Sequence, residues 1–553
     1  MSMINGFTSE DADRLSDKEK RLVERRARLL GPAYRLFYEH PLHTVRGEGV
    51  WLYDEQGRRY LDAYNNVASV GHCHPRVVEA ISRQAGQLNT HTRYLQEGML
   101  DYAEQLLGTF PEYLERVMFT CTGSEANDLA LRIAKQFTGG TGVIITRFAY
   151  HGVTGDIAEL SPSLGPSMVL PPHVRTVRAP DAYRLGADQV ASTFVADVRA
   201  AIDDLRKHGI RPAAILLDGI FASDGVFAGP TGCIAEGIAL AQAEGLLYIA
   251  DEVQSGFART GLNMWGFQRH DVRPDLLTLG KPMGNGHPIA GLVGRAQVVD
   301  HFGQNMRYFN TFGGNPVSCA AGQAVLDVIR DEQLQQRSHT LGECLLTGLR
   351  ELAERYPIIG DVRGAGMFLG VELVTDRATK APAATQTRQV VNAMREQGVL
   401  ISAAGPLENV LKIRPLLASN RSMRTCYWKR SARRWKGCSR SGSDDIVDQD
   451  MVLPTAAAFD ARLDLVHRAQ HLLVDHFMAR AAALSGAIGD DQHLIGEAQG
   501  LVQVMDGDEH DDFALSRQVA HEVQHLDLAV HVEGAGGLVH QQDLRFAHQR
   551  LGD

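Results

Sequence analysis

The chain has 553 residues, 44% hydrophobic and 22% charged, which is enough apolar content to bury a large core and far from a disordered composition. Its 66 acidic and 56 basic residues give a formal net charge of -10, which leaves no footprint for nucleic acid or an anionic membrane. Seven scattered cysteines, a charged N-terminal stretch and no run near the ~18 apolar residues of a membrane span predict a soluble protein in a reducing, cytoplasmic setting.

Up to about residue 417, apolar strand-like runs alternate with helix-period segments, a pattern that predicts a parallel α/β sheet. The first point of chemistry is VMFTCTGSEAN at 117–127, where a strand runs into Gly123 and Ser124 and a helical stretch follows. Free backbone N–H groups at such a helix start stabilise an anion such as phosphate, although a Ser124 that merely caps the helix fits the same letters. At AYHG, Tyr150 offers an aromatic face and His151 a donor or acceptor. A helix over FVADVRAAIDDLRKHG ends in basic residues before Gly209 at C′, and Pro212 then precedes the strand AAILLDGI.

The run LLYIADEV places Asp251 at a strand end, with Val253 two residues on and so on the same side of an extended chain. In LLTLGKPMGNG, Lys281 follows an apolar run, where a desolvated amine has its pKa lowered and can form a Schiff base. An anion-binding helix start, a stacking aromatic, an acidic strand end and a buried amine together suit pyridoxal phosphate. His72, Cys73 and His74 are too close in sequence to face one metal ion, and GKPMGNG lacks the glycine spacing of a P-loop.

From about Tyr34 to Leu416 the chain resembles the class III aminotransferases, fold type I pyridoxal-phosphate enzymes. The resemblance rests on GVWLYDEQGRRYLDAYNN, GHCHP, TGSEAND, AYHG, DEVQSGFARTG, TLGKPMGNG and NTFGGNPVSCAAG. It implies a large domain with a mainly parallel seven-stranded sheet and a smaller α/β domain built from both chain ends. The implied boundaries are 1–75 and 331–417 for the small domain and 76–330 for the large. It also implies that Lys281 is the Schiff-base lysine and proton shuttle, and Asp251 the partner of the pyridine nitrogen. Val253 and Tyr150 would flank the ring, Gln254 would lie near its hydroxyl, and His151 and Asp218 would complete the pocket. Gly123 and Ser124 would bind the phosphate with Thr311 from a neighbouring subunit, so a homodimer is expected.

Two departures bear on substrate. Where relatives hold a carboxylate with arginine, NVLKIRPLL puts Lys412, a point charge without the bidentate fork; the gating glutamate is replaced by Ser223. YNNVASVGHCHP, LNTHTRYL and YFNTFGGNPVSCA are similar to the branch containing the amino-alcohol phosphate phospho-lyases. The expected activity is transfer of an amino group from an amine or amino acid to a 2-oxo acid, with phosphate elimination as the alternative and Tyr64 and Lys412 facing the substrate.

After Leu417 the text changes: ten of the 22 histidines fall in 419–553, and no lysine follows Lys436. A class III chain ends near here in a helix, and a permitted back-translation of 418–440 in another frame yields an amphipathic one. The segment beyond, read on the opposite strand, can encode phrases resembling the ATPases of ABC transporters. Residues 418–553 are therefore read as a frameshifted tail, and the non-enzyme alternative is a damaged chain lacking that helix. The tail histidines, His467 and His471 among them, are then accidents rather than metal ligands.

Overall fold

The structure, a computed structural model, describes residues 5–420. The expectation of a frameshifted tail over 418–553 lies, from residue 421 onward, outside this range.

Seven strands form the central sheet: β1 Arg116–Thr120, β2 Gly142–Thr146, β3 Val174–Val177, β4 Pro212–Asp218, β5 Leu247–Asp251, β6 Leu276–Leu279 and β7 Ala290–Gly294. They lie in the order β3-β2-β4-β5-β6-β7-β1. Neighbours from β3 to β6 pair in parallel, while β7 is antiparallel to both β6 and β1. This is the mainly parallel α/β sheet that the alternating runs predict.

The near-continuous apolar strands follow from covering both faces with helices. Side chains alternate between two cores: Ile145, Leu216 and Ile249 pack on one face with Leu129, Ile133 and Ala134 of helix Gly123–Thr138. Ile144, Ile215, Leu217 and Tyr248 point the other way, toward Phe194, Val198 and Ile202 of helix Val190–Lys207. Burying each such Ile or Leu contributes roughly 1.5–3 kcal/mol. Helix Val190–Lys207 starts four residues before the predicted segment and ends as expected, with Gly209 at φ +73°.

Chain order reverses direction around β2, and in open α/β sheets the crevice beside such a reversal, at the carboxyl ends of the strands, is where ligands bind. Asp218, Asp251 and Lys281 all lie at these strand ends.

Two smaller sheets flank this one. Thr44–Glu48, Trp51–Asp54 and Arg59–Asp62 form an antiparallel set, to which Val399–Leu400 adds in parallel, so the two ends of the described chain meet. Ile359–Ala365, Phe368–Asp376, Val410–Ile413 and Ser402–Ala404 make the second, which carries Lys412 opposite Gly370 and Ser402. Among the described residues no helix is long and apolar enough to cross a membrane.

Candidate active site

The turn after β1 starts helix Gly123–Thr138, and its N-cap is Thr122, not Ser124. Thr122 accepts from Glu125 N while Glu125 reaches back to the N–H of Thr122 and Cys121, a reciprocal capping box. Ser124, freed from capping, sits in the first turn, where its Oγ accepts from Val153 N at 3.1 Å. The N–H groups of Gly123 and Ser124 precede the first intrahelical bond, Ala126 N to Thr122 O, so they remain for an anion.

Gly123 is required by packing. A Cβ there would lie 2.9 Å from both γ carbons of Val253, and one on Gly280 would lie 3.3 Å from Gly123 Cα. The helix start, the Val253 turn and the Lys281 segment therefore converge on one cradle. Val253 itself lies past the end of β5, in a turn where its N–H donates to Asp251 Oδ1 at 3.1 Å. The extended-strand relation between Asp251 and Val253 is thus replaced by a side-chain-to-backbone turn, in which the carboxylate captures the N–H two residues on.

Asp251 is 4% exposed, and its Oδ2 accepts from His151 Nδ1 at 2.8 Å and Asn127 Nδ2 at 3.0 Å. His151 is thereby committed to Asp251. In register beside it, Asp218 accepts from the N–H groups of Ile220 and Ala222, and burial next to Asp251 pushes its carboxyl pKa up.

Lys281 follows β6 with φ +32°, a strained conformation for a residue with a side chain and of the kind that gathers at functional sites. Its Nζ lies 5.9 Å from the centre of the Tyr150 ring. Desolvation lowers its pKa, Asp251 opposes that shift and Arg414 adds to it. A lysine so placed holds more neutral amine at ordinary pH than a surface lysine.

On the opposite wall Lys412 and Arg414, both buried, meet at Gln254 Oε1, Arg414 Nη1 at 2.9 Å and Lys412 Nζ at 3.5 Å. Gln254, expected near a ring hydroxyl, thus faces two cations. The Arg414 guanidinium is also 4.8 Å from the Tyr64 ring centre and 5.1 Å from that of Phe368. Burial lowers the Lys412 pKa well below the usual lysine value, and Arg414 lowers it further.

Arg414 was not singled out from the sequence, although its place in K-I-R-P, two residues beyond Lys412 on an alternating strand, was the available signal. Nor was Arg259. Fully buried, it donates to Ser69 Oγ at 3.1 Å, to Met367 O at 3.4 Å and to Pro415 O, bolting the Lys412–Leu417 segment to the site. Ser223 keeps its backbone carbonyl on Gly405 N, and Thr311 lies exposed beside Phe312. His72 pairs with Asp62 at 2.8 Å and His74 with Glu332 at 2.9 Å, and no cluster suited to a metal ion occurs among the described residues.

These residues fit pyridoxal phosphate: a glycine cradle at a helix start for an anion, a buried carboxylate at a strand end, an aromatic face and a desolvated amine. A family model described as aminotransferase class-III matches residues 37–426. Over 412 residues the chain is 38% identical to an alanine–glyoxylate aminotransferase 2-like protein of Drosophila melanogaster, covering 72% of this chain and 83% of that one. It is 36% identical over 445 residues to ethanolamine-phosphate phospho-lyase homolog 1 of Caenorhabditis elegans, covering 76% and 95%. Among solved structures, a phospholyase from Arthrobacter in complex with phosphoethanolamine matches at 44% identity and a TM-score of 0.73, covering 75% of this chain and 99% of the other.

Proposed function

The chain belongs to the class III aminotransferase family of pyridoxal-phosphate enzymes, and we propose that it eliminates phosphate from an amino-alcohol phosphate. The observation that carries this reading is the meeting of two buried cations, Lys412 and Arg414, on one neutral acceptor, Gln254. Burial pushes the pKa of both Lys412 and Arg414 down, with Asp218 beside both and Asp62 beside Arg414 opposing that shift, and a dianionic group set against them would favour their charged forms further. Arg414 brings the forked donor geometry that suits phosphate, which Lys412 alone does not. The similarity to a phospholyase seen with phosphoethanolamine supports the same reading.

Pyridoxal phosphate supplies the electron sink that makes the carbon bearing the amino group acidic. Asp251 would present a fixed carboxylate to the ring nitrogen, and Gly123 and Ser124 would hold the cofactor's phosphate through backbone N–H groups. Lys281, shifted toward its neutral form, takes the proton from the substrate carbon. Lys412 and Arg414 hold the phosphate ester and stabilise the charge it carries away when the adjacent C–O bond breaks. Water then converts the remaining amine fragment to aldehyde and ammonia, so no 2-oxo acid enters the balance.

Transfer of the amino group to a 2-oxo acid is the second reading, supported by similarity to the alanine–glyoxylate aminotransferase 2-like protein. It would use the same Lys281 proton step, with Lys281 holding that proton for return and no leaving group departing from the substrate. A homodimer with Thr311 reaching the partner's cofactor phosphate is part of either reading, supported by the exposed Thr311 and Phe312. A substrate panel separates the two: phosphorylated amino alcohols scored for phosphate release, and unphosphorylated amines scored for transfer to pyruvate or 2-oxoglutarate.

A further inference from the structure

Asp251 has different neighbours on its two sides in the sheet. In the register of β4 with β5, Asp218 stands opposite it and brings a second carboxyl; in the register of β5 with β6, Thr278 stands opposite it. Thr278 is fully buried, and its hydroxyl donates to Asn127 Oδ1 at 2.6 Å. Asn127, 1% exposed, spends its two amide hydrogens on His151 O at 2.7 Å and Asp251 Oδ2 at 3.0 Å. An amide with its oxygen held by a hydroxyl and both N–H groups committed has one orientation only. If it flipped, it would turn its oxygen toward a carboxylate and a carbonyl.

We infer that Thr278 and Asn127 are positioning residues, a buried relay that fixes which part of the Asp251 carboxylate is left for the cofactor. The inference rests on the reading that Asp251 meets the ring nitrogen. Oδ2 takes two donors, His151 Nδ1 and Asn127 Nδ2, while Oδ1 takes only Val253 N. Oδ1 therefore keeps a lone pair free, and the relay holds the carboxylate rotated so that this remains true. Thr278 acts at two removes, through Asn127 and then Asp251. Its backbone contributes separately, since Thr278 O accepts from Glu252 N at 2.9 Å, and a side-chain substitution leaves that bond in place. Losing the hydroxyl leaves Asn127 Oδ1 buried without a donor, which frees the amide to turn and exposes Asp251 to the wrong end of it.

The test uses the full chain titrated with pyridoxal phosphate, read by visible absorbance across pH and by quenching of protein fluorescence. Thr278→Val keeps the shape and removes the hydroxyl; it is expected to weaken cofactor binding about tenfold and to move the pH midpoint of the visible band. Thr278→Ser, which restores the hydroxyl, is expected to return both to within about twofold of wild type. Asn127→Asp places a carboxylate against Asp251 and is expected to weaken binding more than Thr278→Val does. Thermal melting of the cofactor-free proteins checks that each variant folds. If Thr278→Val does not fold, Asn127→Asp, nearly the same shape, carries the test. Wild-type affinity and an unmoved spectrum in whichever variant folds overturn the relay alone. A wild-type chain that gives no visible band with pyridoxal phosphate overturns the reading of Asp251 and the relay with it.

Discussion

The guanidinium of Arg414 donates to the side-chain oxygen of Gln254 at 2.9 Å, on the strand end that also brings Lys412 to the same atom. If these cations hold a substrate phosphate, Arg414→Met lowers kcat/KM for a phosphorylated amine about a hundredfold, on the order of 3 kcal/mol. An unphosphorylated amine of the same length loses little. Steady-state kinetics on the two substrates checks the difference, and equal losses on both would remove the clamp from the account.

Lys281→Ala abolishes the visible band that pyridoxal phosphate gives with the wild-type chain, and the lost base alone costs about 10²- to 10⁴-fold in kcat. Because burial lowers the pKa of the Lys281 amine, which acts as a base only once the substrate amine has displaced it, kcat falls on acidification through a midpoint below 10.5. Arg414 pushes that pKa down, so Arg414→Met moves the midpoint upward as well as weakening the substrate. A pH profile of both proteins tests the sign.

Gly123→Ala puts a methyl group where Val253 already stands, 2.9 Å from its γ carbons. The turn at the helix start must shift, and overpacking of this kind costs about 1–3 kcal/mol. Cofactor affinity measured by fluorescence falls, and Val253→Ala in the same chain recovers part of it. Additive losses in the double variant would place the two residues apart.

Stability against acid has an identifiable contributor. His270 is fully buried, its Nε2 donates to Gly219 O at 3.1 Å, and burial pushes its pKa down to about 4 from 6.5. The unfolded chain takes up this proton below pH 6.5 while the folded chain does not until about pH 4, so stability is lost as pH falls through that window. The slope approaches about 1.4 kcal/mol per pH unit from this one group. Denaturant unfolding at pH 7 and pH 5 reads it, and His270→Gln is expected to flatten the difference.

How much of this was legible from the letters depends on where each partner lies in the chain. Asp251 and Lys281 were readable because an apolar strand ending in a charged residue is a local anomaly, visible within ten residues. Lys412 stands out only through the family resemblance, as a lysine where relatives hold arginine. Asn127 and Thr278 were not, because their value lies in hydrogen bonds to each other across 151 positions and to Asp251 across 124. Nothing local marks a threonine inside LLTLG as anything but a strand former. Ser124 shows the converse: the letters allowed it to be the cap, but the chain turned two residues earlier, at Thr122, where Glu125 could close the capping box.

The most direct measurement is inorganic phosphate released from phosphoethanolamine by the purified protein loaded with pyridoxal phosphate, with no 2-oxo acid present. The account predicts sustained release matched by ammonia, abolished in Lys281→Ala. Phosphate that stays esterified, with the amino group moving only when pyruvate or 2-oxoglutarate is added, would contradict it.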